Sequence, residues 1–277
     1  MEHNKNMSDS SLVLAQLRQS LERLEPRRSV DQAERFSLGH DPVDRALGGG
    51  LALGRLHEIF AEADEAGSCA GFAALVGLRA GAMRGGRGAP LLWLRTEAAQ
   101  KQAGRLHATG LGELGLDPAA LLLGLAPDEP ALLHAAAEAT RCAGLGVLLV
   151  ECWGPMRAFD LTASRRLMLA AEASGVTVLV LRILTQLQFQ PSAADTRWRV
   201  AAAPSTALEA DAPGAPMFDL ELLRRRAGSP AGPWRVEWDR DRSSFQEPAE
   251  TGAKPPLSRP VFPVVAGGTA QALRRAG

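Results

Sequence analysis

The sequence contains no tyrosine, and lysine occurs only at Lys5, Lys101 and Lys254 among its 31 basic residues. Arginine supplies the rest, a bias that suits bidentate phosphate or carboxylate binding and that a GC-rich genome also produces. Cysteine is scarce too: Cys69, Cys142 and Cys152 make an odd number without a CxxC, which excludes a disulfide framework and suggests no zinc site. Neither sign of charge is in excess, with 31 basic and 31 acidic residues. No net field therefore draws the chain to nucleic acid or to an anionic membrane, and any such contact must use a local patch. Long apolar runs are missing, and MEHNKNMSDSS lacks the apolar core of a signal peptide. A soluble, cytoplasmic protein is expected.

What is present is ample core material, 46% hydrophobic residues in 277. Leu14, Leu17, Leu21 and Leu24 form a narrow seam on an amphipathic helix over 12–25. That seam fits either packing on its own domain or a short contact with a partner. From residue 41 onward, apolar runs at Arg55–Phe60, Pro90–Leu94, Leu121–Leu125, Gly146–Glu151 and Val176–Arg182 alternate with helical periodicity near 68–84, 98–109, 128–141 and 161–174. Continuously apolar strands separated by helices predict an α/β fold with a mostly parallel sheet and helices on both faces. Asp160 or Thr162 is expected to cap the helix over 161–174, and Gly175 to end it. Arg197–Ala203, Met217–Arg224 and Trp234–Asp239 alternate polar with apolar residues, which predicts antiparallel edge strands on the C-terminal side. Three regions follow: 1–35 as helix and linker, 36–241 as core, and 242–277 as a disordered Pro/Gly-rich tail. No internal repeat is visible.

Familiar catalytic motifs fail in instructive ways. The glycines Gly48, Gly49, Gly50 and Gly54 follow a helix and precede a strand, the reverse of a dinucleotide fingerprint. Gly67-Ser68-Cys69-Ala70-Gly71 resembles a nucleophile elbow, but no histidine follows His134 to complete a triad. His57-Glu58 does not extend to HExxH. A P-loop would sit after the first strand, and the frame there reads Glu62-Ala63-Asp64-Glu65-Ala66-Gly67-Ser68-Cys69. Only the second glycine survives; the lysine is Ser68 and the hydroxyl ligand of magnesium is Cys69. Glu58, Glu62, Asp64 and Glu65 add negative charge where phosphates would rest, each costing on the order of 3 kcal/mol at about 5 Å.

The segments Phe36-Ser37-Leu38-Gly39, Asp44–Leu51 and Gly54–Phe60 resemble the entrance to the RecA ATPase core. The run Asp160–Thr177, with Arg197–Ala202 and Leu220–Arg226, resembles the ImuA family of RecA-related accessory proteins, also labelled SulA-like, and the likeness covers about residues 36–239. The resemblance implies a RecA-like core in DNA-damage-induced, SOS-type translesion mutagenesis. It implies as partners a Y-family-like polymerase subunit of the ImuB type and an error-prone DnaE-type polymerase, with RecA and single-stranded DNA as further candidates and no membrane. It also implies a nucleotide-pocket remnant: Gly67, Ser68 and Cys69 in the loop, Glu97 as the water-activating glutamate, Glu151 as the Walker B carboxylate, and Arg224 and Arg226 as cations reaching a neighbour's nucleotide. The two DNA-binding loops would correspond to Trp153–Phe159, with Arg157, and to Ile183–Asp195, with Phe189 as a stacking aromatic and Arg182, Arg197 and Arg199 at its base. A non-catalytic subunit without cofactor is the expectation. The rivals are a DNA-stimulated ATPase using ATP and magnesium through a divergent loop, and a SulA-like inhibitor of cell division.

Overall fold

The computed structural model describes residues 33–84, 89–187, 189–208, 212–226 and 228–248. The amphipathic segment 12–25 and the tail from 249 onward lie outside the described residues. The chain opens with β1 (Arg35–Phe36), α1 (Asp41–Leu47) and β2 (Leu51–Ala52), a small antiparallel ribbon around one helix. His40 accepts from the Val43 amide to start α1, and Gly48 ends it at φ 72.

The parallel core follows as β3 (Leu56–Glu62), α2 (Ala66–Ala82), β4 (Leu91–Thr96), α3 (Glu97–Ala103), α4 (Ala108–Glu113), β5 (Leu121–Ala126), α5 (Glu129–Thr140), β6 (Val147–Trp153), α6 (Leu161–Ser174), β7 (Thr177–Leu184) and β8 (Thr196–Ala202). β9 (Met217–Arg225), β10 (Ala231–Asp239) and β11 (Ser244–Gln246) complete a nine-stranded sheet in the order β11-β10-β9-β8-β3-β7-β6-β4-β5. The six strands from β8 to β5 run parallel and the three C-terminal strands are antiparallel. α2 packs on one face of the sheet, and α5 and α6 on the other. This arrangement is consistent with a RecA-like core, and no helix among the described residues is long and apolar enough to cross a membrane.

Asp160, rather than Thr162, supplies the cap of α6 by accepting from the Ala163 amide at 2.8 Å, and Gly175 ends the helix at φ 78. β7 behind it is buried along its whole length, as its predominantly apolar sequence requires, with Arg182 the one charge within it.

Several expectations change. The single helix over 98–109 is two, because Gly104 takes φ 81 and His107 starts α4 by accepting from the Gly110 amide. β8 is antiparallel only towards β9; towards β3 it is parallel, so the alternating pattern of Arg197–Ala203 marked the last parallel strand. The core does not stop at 241. Phe245 on β11 is 1% exposed and packs against Phe72, Phe218 and Trp238, so the first residues assigned to a disordered tail belong to the fold.

Candidate functional site

Four strands carry one or more ionisable residues inside an otherwise apolar run: His57 and Glu58 on β3, Arg95 on β4, Glu151 on β6 and Arg182 on β7. All five are almost wholly buried. A buried charge is tolerated only when it is paired and hydrogen-bonded; four of the five sort into two networks, while His57 bonds the Thr196 hydroxyl and the Ala52 carbonyl.

The first lies under a cleft of about 430 Å³ at the carboxyl ends of the strands, where ligands bind in open α/β sheets. β6 runs beside β4 with Glu151 opposite Arg95. Arg95 Nη2 donates to Glu151 Oε1 at 2.8 Å, Trp153 Nε1 to the same oxygen at 2.7 Å, and Trp93 Nε1 to Oε2 at 3.0 Å. Arg95 also donates to the carbonyls of Ala99 and Gly104, which fixes α3 over the strand ends. Glu151 thus anchors the cleft floor with both oxygens occupied by donors of its own chain. Thr96, Gln102, Asp128, Glu129, Trp153 and Thr185 supply the cleft's remaining polar lining, and no lysine or arginine is among its lining residues.

The pocket-remnant residues do not converge there. Only three residues, Ala63–Glu65, separate β3 from α2, and they form a tight 3-10 turn. A phosphate cradle needs a longer loop whose amides point inward. Gly67 is exposed and Ser68 half-buried on the first turn of α2. Cys69 is fully buried with its thiol directed at the Ile59 carbonyl, and burial pushes its pKa up. It faces the core. Glu97 is exposed at the start of α3 and is not among the lining residues of the cleft. Arg224 donates to the Ser192 carbonyl at 3.0 Å, and Arg226 lies 3.9 Å from the Glu172 carboxylate. Of the acids expected to repel phosphate, Glu62 pairs with Arg199 at 3.7 Å and Glu65 accepts from the Ala202 amide at 2.7 Å.

The second network centres on Glu58, which is inaccessible to solvent. Its Oε2 accepts from Arg197 Nε at 2.7 Å and from Ser192 Oγ at 2.9 Å, while Arg182 Nη1 stands 3.9 Å from Oε1. The Arg182 guanidinium lies against the rings of Phe60 and Phe159, 5.9 and 5.3 Å from their centroids. Arg197 additionally donates to the Gln190 carbonyl. The segment 189–195 is thereby drawn down onto the sheet, with Phe189 edge-on to Phe60 at 5.0 Å and still 48% exposed. In the segment before α6, Met156 and Phe159 are buried and Arg157 is exposed. Of the DNA-contact candidates, Arg182 and Arg197 are therefore internal braces. Arg157, Phe189 and the half-exposed Arg199 remain on the surface.

Arg95, Trp93, Trp153 and Ser192 were not singled out from the sequence. For Arg95 a signal existed: a charge inside an apolar strand predicts a buried partner, and Glu151, two strands along in the chain, has the same setting. The loop residue Ser192 carries no such mark.

A scan against models of protein families finds no match. The chain is 32% identical over 212 residues to Protein ImuA of Caulobacter vibrioides, both in strain NA1000 / CB15N and in strain ATCC 19089 / CIP 103742 / CB 15. The match spans 71% of this chain and 81% of each relative.

Proposed function

This chain belongs to the ImuA family, and on that premise we propose that it is a non-catalytic RecA-like subunit that supports damage-induced, error-prone translesion DNA synthesis through protein contacts. Its partners in this reading are a Y-family-like polymerase subunit of the ImuB type and a DnaE-type polymerase. The observation that carries the non-catalytic part is the three-residue turn between β3 and α2, followed by Ser68 in place of lysine and a Cys69 thiol that faces the core. Glu151 supports it from the other side of the cleft, since two indoles and a guanidinium already occupy its oxygens.

Calorimetric titration of the full chain with magnesium-ATP tests this reading. No heat of binding is expected at cellular nucleotide concentrations. A saturable isotherm in the micromolar range that disappears in Glu151→Gln would replace it with the ATPase alternative. Co-purification with a Y-family-like polymerase subunit of the ImuB type tests the accessory role separately, and failure to associate removes it.

A further inference from the structure

α6 buries Ser164, Leu167, Met168 and Ala171 and turns its opposite side to solvent. On that side Leu161, Arg165, Leu169 and Ala173 stand four residues apart in one row, with Thr162 and Arg166 beside it, and all six are exposed. Among the described residues no other helix presents an exposed leucine.

The charges of this face have one sign. Neither Arg165 nor Arg166 has a carboxylate three or four residues away, and neither makes an ion pair among the described residues. By contrast, the exposed Arg141, Arg199, Arg235 and Arg242 each stand between 2.6 and 3.7 Å from a carboxylate. Glu172, the only acid of α6, is shared by Arg55 and Arg226. Arg226, beside Met168, carries the cationic surface past the edge of the helix.

Charge narrows the occupant. Two-fold pairing of α6 with a second copy would set Arg165 and Arg166 against their own counterparts. The chain's own ends offer no complement: the segment 12–25 balances Arg18 and Arg23 with Glu22 and Glu25 and runs into Arg27-Arg28, and beyond 249 Lys254, Arg259, Arg274 and Arg275 face Glu250 alone. Nucleic acid would satisfy the arginines but not the leucines, and the row holds no aromatic to stack on a base. A helix whose Asp or Glu residues flank an apolar stripe satisfies both. Its stripe packs along the four-residue row, and its carboxylates take the guanidiniums.

We infer that the solvent face of α6 is a docking surface for an acidic amphipathic helix of a different polypeptide. The inference rests on the accessory-subunit reading, in which that polypeptide is the polymerase-like subunit, and gives it a surface.

Surface plasmon resonance between the full chain and a polymerase subunit of the ImuB type tests it. Leu169→Ser should weaken the complex by about tenfold or more. Arg165→Gln/Arg166→Gln should weaken it by about tenfold and flatten its dependence on salt, and Arg165→Lys/Arg166→Lys should keep most of the affinity. All three variants should melt with the wild type, because the altered side chains are exposed. Wild-type affinity in either the serine or the glutamine variant overturns the surface and leaves the accessory role standing. Absence of any complex with the unaltered chain defeats both. Binding of a fluorescein-labelled oligothymidylate that the glutamine variant loses and Leu169→Ser retains assigns the face to nucleic acid and overturns the inference. A dimer in light scattering that Leu169→Ser dissolves assigns it to a second copy, with the same result.

Discussion

Glu58 shows how a single residue can be visible in a sequence and still be misread. Its place beside the degenerate P-loop suggested repulsion of phosphate, yet its side chain points to the opposite face and holds Arg197 and Ser192. Only the register of β3 against β8 reveals that, and register is not written in either strand alone. Glu58→Ala leaves two guanidiniums buried without their carboxylate and should cost about 3–5 kcal/mol by urea unfolding. The motif residues behave differently: Ser68→Lys with Cys69→Thr restores the Gly-Lys-Thr end of a P-loop without its first glycine or its loop, and calorimetry should detect no gain of ATP binding. Burial pushes the Cys152 thiol up to about 12, and Cys69 rises as well, so only the exposed Cys142 should react with a thiol reagent before unfolding. His57 is fixed as a neutral ring. Trp198 donates to the Thr196 hydroxyl, which lies 2.8 Å from Nδ1, while Nε2 lies 2.9 Å from the Ala52 carbonyl. Burial lowers its pKa below the ordinary imidazole value of about 6.5. Below that pH the unfolded chain binds a proton that the native ring refuses, so stability falls as pH falls, by up to about 1.4 kcal/mol per unit. Thermal melts from pH 8 to 5 should show this slope, and it should shrink in His57→Gln.

At the scale of elements, the parallel strands and long helices were legible because each carries its own signal: a predominantly apolar, β-branched run for β7, a cap and a terminal glycine for α6. Elements defined by their neighbours were not. β11 is three residues long, and nothing in Ser244-Phe245-Gln246 announces a strand until Phe245 is seen filling the space between Phe72, Phe218 and Trp238. Truncation after Asp241 should therefore lower stability by about 3–5 kcal/mol, the usual cost of losing a buried phenylalanine. Truncation after Pro248 should leave the melting temperature near wild type, and comparing the two melts separates tail from fold. The break between α3 and α4 depended on Gly104, one of 28 glycines, whose part is visible only in the structure, where it takes φ 81 and its carbonyl accepts from Arg95.

Across the whole molecule, the sheet is most thoroughly covered at β3, β7 and β6, where α2 lies on one face and α5 or α6 on the other. α2 sits close enough that a Cβ on Gly77 would meet Leu91 at 2.6 Å. Coverage thins toward β5, so local opening should begin there, and native-state exchange should rank β5 as faster than β7. The candidate site was legible in outline only. Glu151 was legible as an acid in an apolar strand, although β6 runs two residues past it to Trp153, and whether its carboxylate is available depends on Trp93, Arg95 and Trp153, which converge from two strands that are separate in sequence.

That convergence has a spectroscopic consequence. With no tyrosine in the chain, near-ultraviolet emission comes from tryptophan alone, so excitation at either end of the band should give the same spectrum. Trp93, Trp198 and Trp238 are buried, which should hold the native emission toward the blue. Trp153 is half-buried, lines the cleft and shares the Glu151 carboxylate with Trp93. Anything that enters the cleft changes the surroundings of an indole wired to the protein's interior, and the molecule carries its own optical reporter for that event.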